Sequence, residues 1–105
     1  MSENKHYYQI TIEYRSPKCN YTSAMISSTK NMPDARDALE ESYHRYTDLR
    51  YQIVTAEIAR VCEACNGSGK VHNKRNRLVR CPVCKGKNSH AVVETWLRLP
   101  ERLWV

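Results

Sequence analysis

Four cysteines form the densest concentration of chemistry in the chain. They lie in CEACNGSGKVHNKRNRLVRCPVC, residues 62 to 84, as two Cys-x-x-Cys pairs with fifteen residues between Cys65 and Cys81. A C-x2-C-x15-C-x2-C spacing falls within the range of a structural zinc site. Zinc takes a tetrahedron of soft donors, and two residues between thiolates let one tight knuckle present both sulfurs to a single ion. The second pair completes the tetrahedron once the intervening chain folds back. Cys62, Cys65, Cys81 and Cys84 are therefore the expected ligands of one structural Zn2+. Four protein ligands leave no position for a catalytic water. His72 and His90 lie close in sequence without the paired spacing, and Glu63, inside the first pair, is expected to face outward.

Glycines follow both pairs. Behind a metal-binding pair the chain must turn sharply and aim amide N–H groups at the sulfurs, which calls for positive φ at Gly67, Gly69 and Gly86. The first knuckle, CEACNGSG, reads Cys-x-x-Cys-x-Gly-x-Gly in full. The second, CPVCKGKN, ends on Asn88, the residue next best suited to a left-handed conformation.

These residues resemble the cysteine-rich zinc region of the DnaJ-type co-chaperones. The resemblance covers residues 62 to 88, about a quarter of the chain. It stops short of the whole family pattern: the co-chaperone region has four such repeats and two zincs, whereas two repeats here imply one zinc. No His-Pro-Asp tripeptide occurs, so no J-domain is present. Similar single-zinc units are found in small regulators such as the anti-TRAP protein and in some phage antitermination proteins. The resemblance implies a zinc module used for contacts with protein or nucleic acid, and does not choose between them.

The charge is concentrated in the same stretch. Between Ala64 and Val93 lie Lys70, Lys74, Arg75, Arg77, Arg80, Lys85 and Lys87 with no Asp or Glu, a local charge of +7 in a chain of net +6. The remaining ten basic and eleven acidic residues come to −1. Four thiolates on one divalent ion subtract two charges and leave the arm at about +5.

The arm needs a body to hold it. A chain of 105 residues makes one domain with a modest core, which a bound metal supplements. Hydrophobic residues at 41% and charged residues at 27%, with seven Tyr, two Trp and no Phe, suit an ordinary soluble protein. Four of five cysteines sit in the knuckles, so a disulfide framework is not expected, and Cys19 reads as a spare thiol near a turn. With no signal peptide and no long apolar run, a reducing cytoplasmic setting and no membrane contact are expected.

Tyr8, Ile10, Ile12 and Tyr14 alternate with Gln9, Thr11, Glu13 and Arg15, the period of a half-buried strand. Ser16 to Asn20 is a turn. Tyr21 to Ser28 resumes a strand with Thr22, Ala24 and Ile26 on one face, completing a hairpin. Asn31 is placed to cap a helix with Pro33 in its first turn. Ala35, Ala38, Leu39, Ser42 and Tyr46 form its apolar stripe, and the helix should stop near Thr47 and Asp48. Tyr51 to Val61 is a strand that runs into Cys62, and Ala91 to Leu99 is another, ended by Pro100. The expected fold is α+β in the order ββαββ: an antiparallel sheet with one helix. Residues 1–61 and 89–105 would make the body, and 62–88 a zinc-closed arm between the last two strands. The tail at Leu103 and Trp104 either docks on the body or marks a contact with a partner or in a homo-oligomer.

No catalytic constellation stands beside the cysteines. G-x-S-x-G, the P-loop and His-Glu-x-x-His are all absent. A thioredoxin-like redox pair would precede a helix, whereas these pairs flank a basic loop. A non-enzymatic binding module is the expectation. Its seven cations would hold phosphates, with Asn73 and Asn76 offering hydrogen bonds to bases or sugars. Tyr7, Tyr14 and Trp96 would supply a stacking platform only from an outward-facing side of the sheet. The alternative is an adaptor or inhibitor, phage-encoded in one version, whose cations meet an acidic protein surface.

Overall fold

The computed structural model describes residues 6–18, 21–87 and 89–103; Cys19, Asn88 and Trp104 lie outside that set. The elements are β1 (His6–Arg15), β2 (Ser23–Thr29), α1 (Met32–Asp48), β3 (Gln52–Cys62), β4 (Lys70–His72), β5 (Leu78–Arg80) and β6 (His90–Arg98), followed by a 3-10 turn at Glu101–Leu103. Strands β2-β1-β3-β6 form one antiparallel sheet, and β4 with β5 forms a separate two-stranded one. The architecture is α+β, as expected. The two short strands are additions to the ββαββ order.

The alternation in β1 decides which side of the sheet is buried. Ile10 and Ile12 point under α1 beside Ile58 and Ala56 of β3, their register partners. Leu39 and Ala35 meet them from the helix, and Tyr8, Tyr14, Met25, Tyr46 and Leu97 surround this core. The helix starts where Asn31 Oδ1 accepts the Asp34 N–H at 2.8 Å, and Pro33 needs no amide partner in the first turn. It ends at Leu49, whose N–H reaches the Arg45 carbonyl, with Arg50 in the left-handed region at φ 66. On its wet side Glu40 and His44, and Glu41 and Arg45, stand 3.8 and 3.9 Å apart. Arg36 ties the helix to the edge strand β6 through Glu94 at 2.9 Å, and the Trp96 indole N–H donates to the same carboxylate. Those two donors, Trp96 first, hold the Glu94 carboxyl below its ordinary range.

Three register shifts depart from simple alternation. One lies between Glu13 and Tyr14 opposite β3; the others lie at Ala56/Glu57 and Ile58/Ala59 opposite β6. The first leaves Val54 as the extra residue, so Ile53 joins Ala56 and Ile58 on the helix side. In the edge strand β2, Met25 turns toward the core, while Ala24 and Ile26 of the face read from the sequence are exposed.

Helix α1 covers one face of the sheet. The other carries Ile26, Thr11, Gln9, Tyr7, Glu57 and Val92, with Ile26 at 60% and Val92 at 46% exposure. At one end of that face the first cysteine knuckle folds over Val61: a Cβ on Gly67 would stand 3.3 Å from Val61 Cγ1 and 3.4 Å from His90 Cβ.

Because Leu39 is fully enclosed, Leu39→Ala should destabilise the protein by about 2–5 kcal/mol. The exposed Ile26→Ala should cost no more than about 0.5 kcal/mol. The urea midpoints of the two metal-saturated variants measure the difference.

Candidate metal centre

Strand β3 ends on Cys62, so the first cysteine is carried by the central strand of the body. Its N–H donates to the Ser89 carbonyl at 2.8 Å, just before β6 begins. The entry and exit of the arm are thereby held side by side. Between them the chain forms knuckle, hairpin and knuckle. Cys62, Cys65 and Cys81 are buried, Cys84 is half-buried, and Val71 of β4 packs against the group.

The two knuckles share one backbone solution. After Cys65, Asn66 and Gly67 take φ 53 and 88; after Cys84, Lys85 and Gly86 take φ 57 and 75. Gly69 adds a third positive-φ glycine at 82. This conformation turns amides back toward sulfur: the Gly69 N–H donates to Cys65 Sγ at 3.2 Å. The Gly69 carbonyl accepts the Cys81 N–H at 2.8 Å, which ties one knuckle to the other. All three knuckle glycines are where the sequence requires them. The left-handed Lys85 is an addition, and a lysine takes that region far less readily than an asparagine does.

The four sulfurs lie within 4.8 Å of one another and could hold one metal ion. Cys62 Sγ is 3.9 Å from Cys81 Sγ, and Cys65 Sγ is 3.7 Å from Cys84 Sγ. Thiolates about 2.3 Å from a central ion span tetrahedron edges of about 3.8 Å, so the donor set fits. Burial pushes the Cys65 thiol up, but the N–H groups of Gly69 and Gly67, with the Cys62 and Cys84 sulfurs, outweigh it and draw it down to about 7. Cys84 is driven up to about 12, by burial first and then by the crowding of Cys62, Cys65 and Cys81. A cluster so graded cannot ionise fully alone, whereas a divalent cation among the sulfurs would stabilise all four thiolates.

Neither His72 nor His90 belongs to the cluster among the described residues. His90 Nε2 lies 3.3 Å from Gln9 Oε1 on the open sheet face. Glu63 does face outward, and it meets Lys30 at 3.0 Å, a clamp between arm and body that no local pattern announces. Beside this ion pair a concavity of about 530 Å3 opens against the sheet, walled by Tyr7, Gln9, Ile26, Ser28 and Asn66.

The expected contact residues divide by position. Lys70 and Arg80 are register partners in β4 and β5, Lys85 and Lys87 belong to the second knuckle, and Lys74, Arg75 and Arg77 lie around the connecting turn. All seven are exposed. Asn73 builds that turn: its Oδ1 accepts the N–H groups of Arg75 at 2.9 Å and Arg77 at 3.0 Å, so it is not an open acceptor for a base. Asn76 sits at φ 60 in the same turn. Tyr14 supplies no outward platform either. It stacks on Tyr46 at 4.2 Å and lies against the core. The Trp96 indole N–H is held by Glu94, and the ring tilts toward Tyr43 at 6.1 Å. Tyr7 alone of the three borders the open face. Among the described residues, no helix is long and apolar enough to cross a membrane. The chain matches no protein-family model, no curated protein and no solved structure.

Native mass spectrometry should find one metal ion per chain. Chelation should raise hydrogen exchange at the Gly69 and Cys81 amides while Ile10 and Ile58 stay protected. Protons compete with metal for the sulfurs, so affinity falls as pH falls. The fall should steepen below about 7, where Cys65 itself takes up a proton. A chromophoric chelator titration across pH reads that slope.

Proposed function

We propose that this protein is a small, non-enzymatic binding module whose bound zinc stiffens a basic arm for contact with nucleic acid. One observation carries the reading. Among the described residues, the ion pairs made by lysine and arginine use Lys30, Arg36, Arg45 and Arg98, all outside the arm. Among the described residues, none of Lys70, Lys74, Arg75, Arg77, Arg80, Lys85 or Lys87 has a carboxylate partner. The arm keeps that charge available for an external anion.

The remaining parts of the reading follow from the donor set. Four thiolates select a soft ion, and zinc, with no redox chemistry and a tetrahedral preference, is the best match. The ion's coordination would be closed by Cys62, Cys65, Cys81 and Cys84, so its contribution is rigidity. The resemblance of the knuckles to DnaJ-type zinc repeats supports the same assignment. Phosphates along a strand would meet seven cations on a fixed frame, and affinity would come from the backbone more than from base edges. An acidic protein surface could draw on the same unpaired charge, and the test separates the two.

Fluorescence anisotropy of metal-loaded protein with single DNA and RNA strands should show affinity falling roughly 130-fold between about 50 and 200 mM salt, as expected for about five neutralised phosphates. Combined Lys74→Glu, Arg75→Glu and Arg77→Glu should abolish the signal. Binding that is absent at low salt for both nucleic acids rejects the reading. A pull-down of one acidic protein, lost in the same triple variant, would then establish the alternative.

A further inference from the structure

The arm cations are not one patch. Lys70, Arg80, Lys85 and Lys87 surround a single cavity of about 360 Å3 at the base of the arm, apart from the tip turn. Gly69 and Gly86 form part of its lining, and the two knuckles meet there. A Cβ on Gly86 would fall 3.1 Å from Arg80 Cγ and 3.6 Å from the Gly69 carbonyl oxygen. A side chain at Gly86 would make the Arg80 stem give by a few tenths of an ångström, and φ 75 favours glycine there.

The arrangement is costly for the chain alone. Lys70 and Arg80 stand directly opposite in a two-stranded sheet, and like charges so placed repel. Between Ala64 and Val93 the chain has no carboxylate to relieve them. Lys85 adds a second cost, since it occupies at φ 57 the left-handed position that the first knuckle fills with Asn66 at φ 53. Repulsion and strain converge on one cavity, and a bound anion would offset the repulsion.

We propose that this cavity is a phosphate subsite, taking one phosphate group between Lys70 and Arg80 of the hairpin and Lys85 and Lys87 of the second knuckle. The proposal rests on the nucleic-acid reading only for the source of the phosphate. The site itself follows from the cavity and its four cations.

The test titrates metal-loaded protein with inorganic phosphate and follows the backbone amides by NMR. Saturable shifts centred on Gly69, Gly86 and Lys87 are expected. Lys85→Asn copies the first knuckle, so it should fold at least as well, and it should weaken phosphate binding about tenfold. Lys74→Gln removes one charge at the tip and should weaken it less than about twofold, through screened long-range attraction alone. Equal losses in both variants, or shifts that do not saturate, would overturn the subsite whatever the strands do.

Strands of one sequence with a 5′-phosphate or a 5′-hydroxyl identify the source. Lys85→Asn weakening only the phosphorylated strand places a strand end in the cavity; weakening both equally places an internal phosphodiester there. If phosphate saturates the site while neither strand binds, the subsite stands for a free phosphate and the nucleic-acid reading fails. Strands that bind with unchanged affinity in Lys85→Asn exclude a strand phosphate as the occupant.

Discussion

Four sulfurs converge on one point, and the rest of the arm depends on that convergence. The segment between β3 and β6 has two three-residue strands and a separate buried group made of the cysteines themselves. It has no share in the Ile10, Leu39 and Ile58 core. A two-stranded sheet of that length is not stable alone, so closure of the cysteine cluster must supply what side-chain packing does not. Because Cys62 is also the last residue of β3, the same strand belongs to both cores. The register of the main sheet therefore decides where the first thiol stands, and the knuckle glycines decide how the others reach it.

Charge follows the same division. Among the described residues, Glu40, Glu41, Glu57 and Glu94 find partners on the body, and Glu63 meets Lys30 at its junction with the arm. Beyond Glu63 the arm has cations without acids, including a like-charged pair across β4 and β5. Like charges so placed repel, and nothing on the arm beyond Glu63 relieves them. Lys85 adds strain in the same region, since it takes a left-handed conformation that Asn or Gly would adopt more readily.

Much of this was legible before any coordinates. The Asn31 cap, the helix stripe from Ala35 to Tyr46, the β1 alternation and the cysteine spacing are local patterns with local causes. What escaped is non-local or too short to have a period. The β4 and β5 strands, KVH and LVR, are three residues each and cannot display alternation. Register shifts at Glu13/Tyr14 and in β6 leave no mark in composition, yet the first moves Ile53 into the core. Ala24 and Ile26 look like an inward face, but pairing with Glu13 and Thr11 of β1 puts them on the side away from α1. The Asn73 carbonyl is committed to its own turn, a role that only the paired Arg75 and Arg77 amides reveal. Lys30 and Glu63 are thirty-three residues apart, beyond the reach of any helical or strand spacing.

The bond from the Cys62 amide to the Ser89 carbonyl closes the base of the arm. It brings the two ends of a long excursion together at the spacing of neighbouring strands, which any antiparallel hairpin can accept. Such a cassette is portable. Transplanted onto an unrelated hairpin of matching register, it would carry its sulfurs and cations along, leaving behind only the Lys30 tether and the lean over Val61 that aim it here.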